Sequence, residues 1–109
     1  MKQSQRIAAF GDSITYGRID PVGGGWANRL RDWYVRRQPT ANTVFNCGVG
    51  GNDTSHLLKR FEVECAARTP DVVLLAIGTN DCRRVGAPDA PLLIPPDEFA
   101  NNLETLIGI

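Results

Sequence analysis

Three stretches of this chain are apolar without alternation: Ile7-Ala8-Ala9-Phe10, the shorter Thr43-Val44-Phe45 closed by Asn46, and Val72-Val73-Leu74-Leu75-Ala76-Ile77. A strand with one wet face alternates polar and apolar residues, whereas a strand covered on both faces does not. All three stretches therefore read as strands of a buried parallel sheet. Between them the period lengthens. Trp26, Leu30, Trp33 and Tyr34 fall on one helical stripe, and Leu57, Leu58, Phe61 and Cys65 form a second, started by the cap candidates Asp53 and Thr54. Both stripes are expected to be core. Near the end, Pro95 and Pro96 introduce Asp97 and Glu98 in a first turn, with Phe99, Leu103, Leu106 and Ile107 on one face of a third helix. The resulting order, β-α-β-α-β-α, predicts an α/β fold with a parallel sheet, right-handed crossovers and helices on both faces. Residues 16–25 and 83–96 read as looser segments, and no internal repeat is visible.

The strands end unusually. Gly11-Asp12-Ser13 follows the first, Asn46 through Gly51 the second, and Gly78-Thr79-Asn80-Asp81 the third. In open parallel sheets ligands bind outside the carboxyl ends of the strands, so these polar, glycine-rich loops should share one functional rim. Ser13 has two readings. It can cap the helix that follows, or it can serve as a nucleophile whose own N–H faces a developing oxyanion. The stretch is not the Gly-x-Ser-x-Gly elbow, because Thr15 stands where the second glycine belongs. In the second loop, Asp53 occupies the place of the last glycine of a dinucleotide fingerprint, and no Gly-Lys-Ser/Thr occurs anywhere, so both nucleotide readings fail. Gly51 would let the backbone offer an unobstructed N–H, although tight-turn glycines without a ligand account for that loop equally well when it is taken alone. Asn80 offers a neutral side-chain donor or simple turn chemistry. Together, a serine, a glycine N–H and an asparagine amide make a nucleophile with three oxyanion donors, the set that acyl transfer needs.

These blocks, "FGDSITYG", "NCGVGGNDTS" and "IGTND", resemble in order and approximate spacing the first three sequence blocks of the SGNH or GDSL hydrolases, serine esterases that include lysophospholipase and acyl-thioesterase types. The resemblance implies a three-layer, flavodoxin-like α/β/α fold, here about three strands and three helices, with residues 1–109 forming the amino-terminal part of a single hydrolase domain. It implies that Ser13 is the nucleophile and an oxyanion donor, with Gly51 and Asn80 as the other donors and an ester or thioester as substrate. Asn52-Asp53-Thr54 after Gly51 is one residue longer than the Gly-Asp-Thr common in the family, which leaves Gly50 as the alternative to Gly51.

The family's base lies on an Asp-x-x-His stretch after further strands, and this sequence holds no such segment at its end. The single histidine does sit in Asp53-Thr54-Ser55-His56. There, however, Asp53 should cap the helix backbone, and a helix carries residue 56 away from the rim at about 1.5 Å per residue. His56 is therefore expected to be a partly exposed helical residue. Two readings follow: an ester-hydrolase scaffold with weak or no turnover, or a non-catalytic module binding a small ligand or anion. A histidine supplied in trans is a third route to activity. In the implied 2-1-3-4-5 strand order, residues 72–77 would form an apolar edge open to self-association, through that strand or through an exchanged helix around residues 98–108.

Composition narrows the partners. Lys and Arg number 12, as do Asp and Glu, so net charge gives no reason to expect nucleic acid or an anionic membrane. Met1 through Arg6 lead into an apolar run too short for a signal-peptide core, and no stretch approaches the roughly 20 apolar residues of a membrane span. A cytoplasmic location is expected. Cys47, Cys65 and Cys82 lack CxxC spacing and read as reduced, mostly buried thiols. With one histidine and no clustered cysteines, no metal or other cofactor is expected.

Overall fold

The structure, a computed structural model, describes residues 5–37 and 42–109. Its elements run β1 (Arg6–Gly11), α1 (Ser13–Tyr16), α2 (Trp26–Arg37), β2 (Thr43–Gly48), α3 (Thr54–Arg68), β3 (Val72–Ala76) and α4 (Pro96–Gly108). The strands form one parallel sheet in the order β2-β1-β3, the first three places of the expected topology. β1 lies in the middle, with Phe10 opposite Cys47 on one side and Leu75 on the other.

Alternate residues of β1 feed two cores, which is why its sequence has no polar alternation. Ala8 and Phe10 join Cys47, Leu57, Phe61 and Leu106 beneath α3 and α4. Ile7 and Ala9 join Ala27 and Val44 beneath α2. Phe10 and Phe61 meet with ring centroids 4.7 Å apart and tilted planes, a favourable aromatic geometry. The architecture is thus the three-layer α/β/α arrangement.

Several local expectations change. α1 is an additional single-turn helix, and β2 extends through Gly48 instead of stopping near Phe45. Asn46 does not end the strand because its polar groups are satisfied inside the fold: Nδ2 donates to Thr15 O at 2.9 Å and Oδ1 accepts from Gly48 N at 3.0 Å. Trp33 is not core; about half exposed, it lies under the Arg37 guanidinium at 3.6 Å, while Trp26, Leu30 and Tyr34 pack on the sheet. Ile107 is likewise exposed, since among the described residues no strand pairs with the outer side of β3 beneath that part of α4. The three cysteines are free, but only Cys47 is buried; Cys65 is half-buried and Cys82 is exposed on the loop after β3.

On the α3/α4 side an apolar groove of about 410 Å³ runs along β3, walled by Phe61, Val73, Leu75, Leu106, Ile107 and Ile109 among others. β3 has β1 on one side and no strand on the other among the described residues. Among those residues no helix is long and apolar enough to cross a membrane. Met1–Ser4, part of the stretch read as leading into a run too short for a signal-peptide core, lie outside the described residues.

Candidate active site

The rim beyond the carboxyl ends of the strands is assembled from the backbone upward. Asp12, buried at the end of β1, caps α1 by accepting a hydrogen bond from Ile14 N at 2.9 Å. The capping role weighed for Ser13 therefore belongs to Asp12, and Ser13 becomes the first helical residue, half-buried. Its N–H donates to no protein acceptor among the described residues. Ser13 O closes the short helix by accepting from Gly17 N and Arg18 N at 3.0 and 3.1 Å.

The β2–α3 loop packs directly against this turn. Gly48 is required there, because a Cβ on it would lie 2.3 Å from Tyr16 N and 2.8 Å from Thr15 C. A Cβ on Gly50 would lie 3.9 Å from that of Ser13, so the two loops touch at the serine. Asn52 N donates to Val49 O at 3.2 Å, closing a turn whose third residue, Gly51, has φ +79°. A type II turn needs that left-handed conformation, which glycine adopts without strain. No atom lies within 4 Å of where a Gly51 Cβ would be, and its N–H donates to no acceptor among the described residues.

The third loop is clamped onto the second by two side chains. Asn80 Nδ2 donates to Asn52 O at 2.9 Å, which uses one of its two hydrogens. Asp81, almost wholly buried, accepts from Thr54 N at 3.1 Å and from Thr54 Oγ1 at 2.5 Å. It thereby satisfies a donor at the first turn of α3 that the helix itself leaves unpaired. Asn102 of α4 completes the cluster by donating to Thr54 Oγ1 at 2.9 Å. Turn chemistry alone does not reveal Asp81 or Asn102 in the sequence; their partners lie 27 and 48 residues away.

Asp53 and His56 form a reciprocal capping box. Asp53 Oδ1 accepts from His56 N at 2.8 Å, and His56 Nδ1 accepts from Asp53 N at 3.2 Å. The imidazole is about half exposed, with one nitrogen committed to the helix start, as the spacing argument expects. A shallow depression beside Ser13 is lined by Tyr16, Arg18, Gly48, Val49 and Gly50. Gly51 and Asn80 lie outside that lining, so the depression borders the candidate donors on one side only. No group of three or more His, Cys, Asp or Glu residues that could hold a metal ion occurs among the described residues.

A parallel α/β sheet with its polar loops gathered at one rim defines the class of protein. Within that class, the model of the GDSL-like lipase/acylhydrolase family matches residues 9–108. The chain belongs to that family. It is 28% identical to an arylesterase of Vibrio mimicus over 97% of its own length and 48% of the arylesterase. It is 31% identical to an acetylxylan esterase of Geobacillus stearothermophilus, covering 94% of this chain and 52% of that protein. Among solved structures, the SGNH-hydrolase family esterase AlinE4 superposes with a TM-score of 0.75 at 25% identity, over 99% of this chain and 53% of AlinE4. The chain spans about half the length of the curated relatives.

Proposed function

We propose that residues 1–109 are the amino-terminal part of one GDSL-type hydrolase domain, carrying the nucleophile and oxyanion donors for ester or thioester hydrolysis. Ser13 Oγ would attack the carbonyl carbon while a base takes its proton. The resulting oxyanion would be held by the N–H groups of Ser13 and Gly51 and by the free hydrogen of Asn80 Nδ2. Collapse would expel the alkoxide or thiolate, which takes up a proton. Water would then attack the acyl-serine to release the carboxylic acid and restore Ser13.

The observation that supports this reading is the pair of unspent N–H groups on Ser13 and Gly51, together with an Asn80 amide that bonds Asn52 O, next to Gly51, and keeps one hydrogen unpaired. His56 is a poor base because its Nδ1 serves the capping box. The base would come from a segment outside this sequence, in cis or supplied by a partner chain. The oxyanion site and binding alone can still leave roughly 10³- to 10⁴-fold acceleration over water in a hydrolase lacking one triad member. The arylesterase and acetylxylan esterase relatives make aryl acetates the first substrates to test.

An alkyl fluorophosphonate and p-nitrophenyl acetate provide the experiment. Covalent labelling and trace hydrolysis that both disappear in Ser13→Ala support the enzyme reading, and a rise in turnover on adding a carboxyl-terminal fragment containing Asp-x-x-His supports complementation. No labelling and no hydrolysis at any pH, with or without that fragment, would favour a small-ligand or anion-binding module on the same fold. The reading also includes a cytoplasmic location and self-association through β3. Cell fractionation tests the first and concentration-dependent sedimentation the second.

A further inference from the structure

Arg60 lies on α3, behind the rim, yet its guanidinium reaches both the end of β1 and the loop after β2. Nε donates to Asn52 Oδ1 at 2.9 Å and Nη2 to Gly11 O at 3.3 Å, while Nη1 meets Glu64 Oε2 at 2.5 Å. The group is mostly shielded and lies 5.7 Å from the centre of the Phe10 ring. An arginine serving only a surface ion pair on its own helix would need just the Glu64 contact. Here two of the three nitrogens bind groups outside α3, one in the loop after β2 and one at the end of β1.

Asn52 is where the paths join. Its side chain is held by Arg60, its N–H by Val49 O, and its own carbonyl accepts from Asn80 Nδ2. With side chain and backbone N–H both fixed, the carbonyl can orient the Asn80 amide plane. One Asn80 hydrogen is then spent on Asn52 and the other is left for a ligand. Gly11, the second group Arg60 holds, ends β1 two residues before Ser13.

We propose that Arg60 is a positioning residue for the oxyanion site: its guanidinium fork fixes Asn52 against the end of β1, and Asn52 in turn orients the Asn80 amide. The inference rests on the hydrolase reading for its catalytic consequence, but not for its geometry. Lysine would keep the charge and lose the planar fork, so it cannot hold Asn52 Oδ1, Gly11 O and Glu64 together.

The test is nuclear magnetic resonance of the intact chain, following the Asn80 side-chain amide in wild type, Arg60→Lys, Arg60→Ala and Asn52→Ala. In wild type, one Asn80 hydrogen should exchange slowly. In all three variants exchange should quicken by about tenfold or more and the two hydrogens should become more alike, while β1 amides stay protected. Adding Arg60→Ala to Asn52→Ala should change the Asn80 signal no further, because both break one path. In whichever form hydrolyses p-nitrophenyl acetate, Arg60→Lys should lower kcat about tenfold with KM nearly unchanged. An Asn80 amide unaltered in Arg60→Lys and Arg60→Ala, or effects of Arg60 and Asn52 that simply add, would overturn the proposal. Absence of hydrolysis in wild type would count against the hydrolase reading alone, since the amide measurement does not depend on turnover.

Discussion

β1 and β3 are both uninterrupted apolar strands, yet they have different fates. Five of the six β1 residues are buried, and Ala8, Ala9 and Phe10 are fully enclosed between α2 and the α3/α4 layer. No β3 residue is buried, although Val72-Val73-Leu74-Leu75 is the more hydrophobic run. The difference is position. β1 has a strand on each side and helices above and below, whereas β3 borders β1 on one side and an open apolar groove on the other. Apolarity states what a strand requires, and neighbours decide whether the requirement is met. The rim follows the same division: the loops after β1 and β2 touch at Ser13 and Gly50, while the loop after β3 is held by Asn80 and Asp81 reaching back toward α3.

The contrast should appear first in stability. Leu57→Ala empties a fully enclosed site beneath β1 and should cost about 2–5 kcal/mol in urea unfolding. Val73→Ala on the open strand should cost about 1 kcal/mol or less. Similar losses at the two sites would erase the distinction. Association comes next. If β3 recruits a second copy, Val73→Lys should return the chain to monomer in sedimentation equilibrium at concentrations where wild type associates, because a charge on an exposed edge opposes strand pairing. At concentrations where both forms are monomeric, the same substitution should cost far less stability than Leu57→Ala.

Thiol chemistry gives a finer probe. Burial pushes the Cys47 and Cys65 thiols up, so both are poorer nucleophiles at neutral pH than a solvated cysteine. With a maleimide, Cys82 should react first, Cys65 more slowly and Cys47 only as the chain unfolds. Cys65 belongs to the β3 groove, so any strand or partner covering that groove should slow it further while leaving Cys82 unchanged.

The smallest effect belongs to the loop before α2. Hydrogen bonds from Arg29, then from Gly23 N and Gly25 N, hold the Asp20 carboxyl well below the usual carboxylate range. A carboxyl depressed in the folded state adds stability that is present above its unfolded value, near 3.9, and is lost as pH falls toward the folded value. Protection of the Gly23 and Gly25 amides, corrected for the intrinsic exchange rate at each pH, should therefore fall on acidification below about pH 4, and Asp20→Asn should remove that pH dependence. β1 amides should be indifferent to the substitution.

Much of this was legible in the sequence. The three apolar runs, the α3 stripe and the caps at Asp53 follow from periodicity and local hydrogen bonding, which act over a few residues. So does the identity of the rim, since polar loops after parallel strands meet at one end of a sheet. The three motif blocks added the family, and the family model and relatives bear that out. Trp33 and Ile107 were misplaced because a stripe records which face is apolar but not how far the neighbouring layer extends.

The chain's own order of residues thus determined the three strands and three longer helices and that the sheet is parallel, but not the single turn α1 or the extension of β2. Only the tertiary structure decided that Asp81 and Asn102 hold the start of α3, and that Arg60 links Asn52 to the end of β1. The physical reason is range: periodicity and caps are set by neighbours within one or two turns, whereas these contacts join groups that only packing brings within hydrogen-bond distance.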